Sequence, residues 1–322
     1  VINFRFHVTA VTAVVIAVIA GLVFGTAALH GPVSAPARAS TVAADQRGTE
    51  LQEQVDLLTE RLSAGDRMAA AVAPALLAGR LAARRIILVT TPSGAQDAAG
   101  VEAMLTAGGA TVTGRIELTD RFTDPQRRDD LLDLALASLP PGVATGLPAT
   151  ADGVIATAAL FAAVLITRTP AIPDGDLRSV LSAYVSQGFL TGTSGVANTA
   201  DALVVLTGTS PATEADAPLV GLTSGLGEVG PVIAAGTGAA ADTVLGRLRA
   251  DPRAAAVVST VDNVNTPQGK LATAWALADQ LAGHVGHYGD GPGAASPLPP
   301  LTPPALPVSP SPSASPSPSP AA

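Results

Sequence analysis

The chain has 322 residues, a formal charge of −8, 48% hydrophobic but only 3% aromatic residues, and no cysteine. The charge excludes nucleic acid as the main partner, because phosphate binding needs a basic face. The missing thiol excludes disulfides, thiolate metal sites and cysteine nucleophiles. Lys270 is the only lysine, and with abundant Ala, Gly and Arg this reflects coding bias more than function.

A short segment at 1–7 precedes VTAVTAVVIAVIAGLVFGTAAL, Val8 to Leu29, which carries no charge and only Thr9, Thr12 and Thr26 as polar interruptions. As a helix it would be about 33 Å long, enough to cross a hydrocarbon core of roughly 30 Å. A transmembrane anchor is therefore predicted at 8–29, longer than the apolar part of a cleaved signal, although small-residue cleavage sites follow around Ala35-Pro36-Ala37 and Ala37-Arg38-Ala39. Arg5 precedes the span while Arg38 and Arg47 follow it, so placing the remainder outside the inner membrane rests on the signal-anchor layout. Ala17, Gly21 and Gly25 share one face, a pattern that would let two such helices approach closely.

Residues 30–44, with Pro32 and Pro36, are expected to form a flexible neck. At 45–65 a short coiled-coil helix is predicted. Leu51, Val55, Leu58 and Leu62 step four, three and four, with Glu50, Glu53, Asp56, Glu60 and Arg61 between them. That seam could pair with a second copy or dock on its own domain.

From 66 to 290 helical and strand patterns alternate. Strands are expected near 86–89 (IILV), 111–118, 189–191, 202–206 (ALVVL), 232–235 (VIAA) and 255–258. Helices are expected near 95–107, 125–138, 153–167, 174–187, 238–249 and 267–283. Short apolar runs separated by helices predict a mostly parallel, doubly wound α/β domain with both sheet faces covered. Val154–Thr167 is apolar but short, bounded by Asp152 and Arg168, and is predicted to be a core helix, not a second span. The Pro/Ser-rich stretch 291–322 cannot bury a core and is expected to be disordered.

Few motifs carry chemistry. Gly225-Leu226-Gly227-Glu228-Val229-Gly230 has dinucleotide-loop spacing, but a helix is expected before it and a strand after, the reverse of what the cofactor needs; these glycines are expected to end a helix. No nucleophile elbow, phosphate loop or H-E-x-x-H occurs, so no enzyme activity and no cofactor are expected. His284 and His287 lie three apart near the end of the expected last helix and could share a metal, with Asp290 nearby; the alternative is a pair favoured by the helix dipole. Thr260, Asp262 and Asn263 leave the expected last strand at its carboxyl end, where open α/β sheets bind ligands; as turn and cap formers they have an equally ordinary reading.

The opening VINFRFH ahead of the apolar span, AGGATVTGRIELTDRF at 107–122, and STVDNVNTPQGKLATAWALADQLAGHVGHYGDGPGA at 259–295 together resemble the actinobacterial copper transporter MctB family. The resemblance implies an envelope protein of copper efflux and copper homeostasis, with copper as the transported ion, and a pore in the outer membrane. It brings no numbered site residue. A transmembrane barrel would need strands of about ten alternating residues, and this chain offers short apolar ones. Expected partners are the membrane, a second copy through the anchor or the coiled coil, and other envelope proteins. A non-catalytic, membrane-tethered α/β scaffold or ligand-binding protein of the envelope is the alternative.

Overall fold

The computed structural model of the chain describes residues 35–143, 150–167, 172–209 and 216–300. The expected anchor at 8–29, its small-residue face, and the stretch beyond 300 lie outside them. Among the described residues no helix is long and apolar enough to cross a membrane. The chain divides into two compact units, residues 1–63 and 64–322.

The first described element is one helix, α1, Ala35–Leu77. It contains the helix expected at 45–65 and also covers 35–44, where a flexible neck was expected. Pro36 does not prevent this, because at the second helical position its missing N–H has no partner to lose. Within the second unit, Ala69, Ala73 and Leu77 recur every four residues and are buried, so this part of α1 packs by a narrow stripe of small side chains.

The second unit is built on a seven-stranded sheet: β1 Arg85–Thr90, β2 Thr111–Leu118, β3 Leu190–Gly192, β4 Ala202–Gly208, β5 Val232–Gly236, β6 Val258–Val261 and β7 His287–Tyr288. Their spatial order is β3-β2-β1-β4-β5-β6-β7; every pairing is parallel except the short antiparallel one between β2 and β3. The remaining helices are α2 Ala95–Ala107, α3 Asp120–Thr123, α4 Arg128–Ala137, α5 Gly153–Leu165, α6 Asp174–Ser186, α7 Asp216–Gly227, α8 Val244–Ala250, α9 Pro252–Val257 and α10 Pro267–Leu281.

Alternation along β1 explains the layering. Ile87 and Val89 join a core with residues of α4 to α9, while Ile86 and Leu88 join a second core with α1, α2 and α10. Both faces of this mixed α/β sheet are thus buried, which is why its strands read as continuous apolar runs. The longest described strand has eight residues. α5 is the expected core helix, buried except at Ile155 and Ala159.

Several boundaries differ from expectation. The strand expected at 255–258 is mostly α9. Asp251 accepts hydrogen bonds from the Arg253 and Ala254 N–H groups, and Pro252 occupies the first helical position, so a cap starts a helix where apolar content suggested a strand. The helix expected from 238 begins only at Val244, capped by Thr243, after Gly238 has turned the chain at φ +82°. Residues 291–300, expected to belong to a disordered tail, return along the sheet: Ala295 donates to the His287 carbonyl (2.8 Å), Ser296 bridges to Tyr288, and Leu298 packs against the second core.

Candidate functional site

The carboxyl ends of the parallel strands are where such a sheet holds ligands, above all where chain direction across the sheet reverses. Here that point lies between β1 and β4, and the chain closes it. The Thr91 N–H donates to the Leu206 carbonyl (3.0 Å) and its hydroxyl to the Thr207 carbonyl (3.1 Å), which the Ser93 hydroxyl also reaches (3.1 Å). The backbones touch: a Cβ on Gly94 would collide with the Leu206 carbonyl, and one on Gly208, at φ +64°, with the backbone of Ser93. Only glycine fits either position.

A second crevice, above β5, β6 and β7, is filled by Arg249 at the end of α8. Its guanidinium donates to Thr260 Oγ1 (2.8 Å), Asp262 Oδ2 (2.7 Å), the Pro292 carbonyl (2.8 Å) and the Tyr288 carbonyl (2.8 Å). Arg249 and Asp262 are 5% and 2% exposed at their side chains, so this is a buried ion pair with its remaining hydrogen bonds supplied by the backbone. Asp262 also accepts from the Asp290 N–H (2.8 Å) at Oδ1 and the Gly291 N–H (3.1 Å) at Oδ2. Glycine is again the enabling residue, since a Cβ on Gly289 would collide with the Asp262 carboxylate.

The three residues expected to line a ligand site are therefore brought together, but around the chain's own Arg249 and the segment after β7. Thr260 is fully buried; both oxygens of Asp262 are occupied; Asn263 donates to Asp290 Oδ2 (2.8 Å), while its own Oδ1 is buried and has no hydrogen-bond partner among the described residues. Sequence reasoning missed Arg249. The available signal was the glycine spacing of GDGPG at 289–293, which marks backbone that must approach something closely.

The two histidines are not on one helical face. α10 ends at Leu281, so His284 lies exposed in the following turn and His287 lies on β7. Ala282 and Gly283 end the helix early, Gly283 at φ +93°. Thr260 Oγ1, which accepts from Arg249, is 3.0 Å from His287 Nδ1. Burial, and then the Arg249 charge, hold His287 below the ordinary histidine range. Nδ1 is thus engaged by Thr260 beside the buried Arg249 cation. Among the described residues no group of three His, Cys, Asp or Glu side chains could hold a metal ion.

Two other features are accounted for by packing. Gly225 and Gly227 lie within α7, and Gly230 precedes β5. A Cβ on Gly225 would come within 2.8 Å of Ala158 on α5, and one on Gly227 within 2.6 Å of Val258. Gly225 and Gly227 let α7 approach its neighbours. Lys270 Nζ lies 3.3 Å from Asp97 Oδ1, and its stem crosses α2 at Gly100. Two open depressions among the described residues, one of about 460 Å³ along β2 near Arg115 and one of about 660 Å³ along α6 near Arg178, include neither Thr91 nor Arg249 in their lining.

The sequence matches the family described as copper transport outer membrane protein, MctB, over residues 1–299. It is 29% identical over 308 residues to the copper transporter MctB of Mycobacterium tuberculosis and to that of Mycobacterium bovis, covering 92% of this chain and 98% of each relative. It is 32% identical over 230 residues to the copper transporter MctB of Mycobacterium leprae, 66% of this chain and 72% of that one. A match that runs through the apolar N-terminal stretch, α1 and the whole sheet is more than shared architecture, and the chain belongs to the MctB copper transport family.

Proposed function

We propose that this chain acts in copper efflux and copper homeostasis at the cell envelope, as a tethered, non-catalytic protein. The family match along residues 1–299 carries this reading. On it, residues 8–29 hold the chain in a membrane and the α/β unit stands outside the inner membrane, with copper as cargo. The occupied strand ends, closed by Thr91 and Ser93 on one side and by Arg249 on the other, favour a unit that works through its surface over one that turns over a substrate. That favours a second reading, an envelope scaffold whose effect on copper passes through a partner protein.

Deleting the gene and measuring cell-associated copper tests the first reading. Accumulation and copper sensitivity should both rise, and a plasmid copy should restore them. Unchanged copper content would sink the copper role. A plasmid copy carrying His284→Ala and His287→Ala should complement as well as the wild type; failure to complement, with the protein present in normal amount, would show that the histidines handle the ion directly. Retention in the membrane pellet after an alkaline wash is expected of the anchor, and release by that wash would remove it.

A further inference from the structure

The face of α1 that precedes the α/β unit carries large apolar side chains in water. Leu51, Val55 and Leu58 are 61%, 53% and 56% exposed. An isolated surface leucine needs no explanation, but these three fall on one line of the helix, and Leu62 continues it in sequence. Assigned as heptads, Leu51 and Leu58 take position d, and Val55 and Leu62 take position a. At Val55 a β-branched residue at a lies between leucines at d, the local arrangement that favours two parallel strands.

The charges point to the same partner. Every acidic residue from 50 to 60 lies off the seam: Glu50 at c, Glu53 and Glu60 at f, Asp56 at b. The flanks that would meet another helix hold Gln52 and Thr59 at e, and Gln54 and Arg61 at g. Two copies in register therefore meet no like-charged carboxylates across the seam. Arg61 at g falls opposite position 66 of a second copy, an aspartate in the sequence. Asp56 is also held outward on its own helix, accepting from Gln52 Nε2 at 2.9 Å. Leu57, at c, stays outside the seam.

We infer that Leu51–Leu62 is a self-recognition surface, on which a second copy of this chain docks as a parallel, in-register coiled coil. The seam lies within a helix of 43 residues whose internal proline, Pro74, falls well after it, so the seam needs no folding of its own beyond pairing. Two heptads pair weakly in dilute solution, and two copies held side by side would reach the high local concentration that makes such a seam effective. The surface is independent of the copper reading: it can be right with that reading wrong, and the reverse.

The lack of cysteine makes the test clean. In the full chain, reconstituted in liposomes and oxidised with oxidised glutathione, Leu51→Cys and Leu58→Cys should each give about tenfold more covalent dimer than Glu53→Cys or Glu60→Cys, because only seam positions bring Cβ atoms within disulfide reach. Val55→Asp in the Leu51→Cys background should abolish that dimer while leaving the thermal unfolding of the α/β unit unchanged. Cross-linking at Leu58→Cys without Leu51→Cys would overturn the parallel register. Equal cross-linking at seam and outer positions, or none at either, would overturn the surface itself.

Discussion

Arg249 holds together four groups from three parts of the chain: Thr260 and Asp262 at the end of β6, the Tyr288 carbonyl on β7, and the Pro292 carbonyl beyond it. Arg249→Met leaves Asp262 as a buried carboxylate whose remaining partners are two backbone N–H groups, and breaking a buried pair in this way costs about 3–5 kcal/mol. Denaturant unfolding at pH 7 should show a loss of that size, whereas Arg253→Met, at an exposed position of α9, should stay within about 0.5 kcal/mol of wild type. His287 adds a pH dependence whose sign is fixed by burial and the Arg249 charge, which hold its folded pKa low. Above about pH 6.5 the ring is neutral in both states and the full stability is present. As pH falls below that value the unfolded chain takes up a proton that the folded chain resists, so stability declines until folded His287 itself protonates. Unfolding free energies measured between pH 5 and 8 should show this decline, and His287→Phe should flatten it. Little of this was legible beforehand. Thr260, Asp262 and Asn263 stood out because polar residues end an apolar strand, but an arginine between Leu248 and Ala250 looks like any surface charge until the fold buries it. The histidine pairing failed because three-residue spacing implies one face only inside a helix, and the helix ends at Leu281.

Elements were recovered where the apolar pattern was strong and unambiguous: α2 and β2 match their expected limits, and α5 is the core helix that its length and flanking polar residues predicted. They were misplaced where a cap outweighs composition, as at Asp251-Pro252 and Thr243. What composition cannot reveal is how closely elements approach, and glycines carry that information. Gly94 begins the turn into α2 against the Leu206 carbonyl, and the colliding atoms there belong to two backbones, so no side chain can swing aside. Gly94→Ala must push β1 and β4 apart at their carboxyl ends. The expected loss is about 3 kcal/mol, the upper end of the overpacking range, read as a lowered denaturation midpoint with an unchanged slope. Gly175→Ala on α6 meets no atom within 4 Å and should be neutral, or stabilising by a few tenths of a kcal/mol through lower chain entropy.

At the scale of the molecule, the family and the α/β class could be read from segment order, whereas the closure of the sheet's carboxyl edge could not, because it depends on pairings between residues more than thirty positions apart, such as Arg249 with Tyr288 and Pro292. The Pro- and Gly-rich composition after Tyr288 looks like the start of a structureless tail. Yet its backbone N–H groups at Asp290 and Gly291 are the ones that Asp262 needs, and its Pro292 carbonyl completes Arg249. Ending the chain after Gly286 would therefore do more than shorten it. β7 would be lost, Arg249 would lose two of its four acceptors, and Asp262 would lose both of its backbone donors while remaining paired to a now under-satisfied cation. Orphaned buried groups cost about 1–3 kcal/mol each, and several are created at once, so the truncated chain should unfold at markedly lower denaturant than one ending after Pro300, which keeps every bond named here. Hydrogen exchange should locate the damage: amides of β6 and α8 should lose protection, while those of β1 and β2, at the other side of the sheet, should keep it. Equal midpoints for the two truncations would mean that the Arg249 cluster closes the crevice without holding the fold. The occupied edge would then be a dispensable cover, and Asp262 and Asn263 would again be free to meet a ligand.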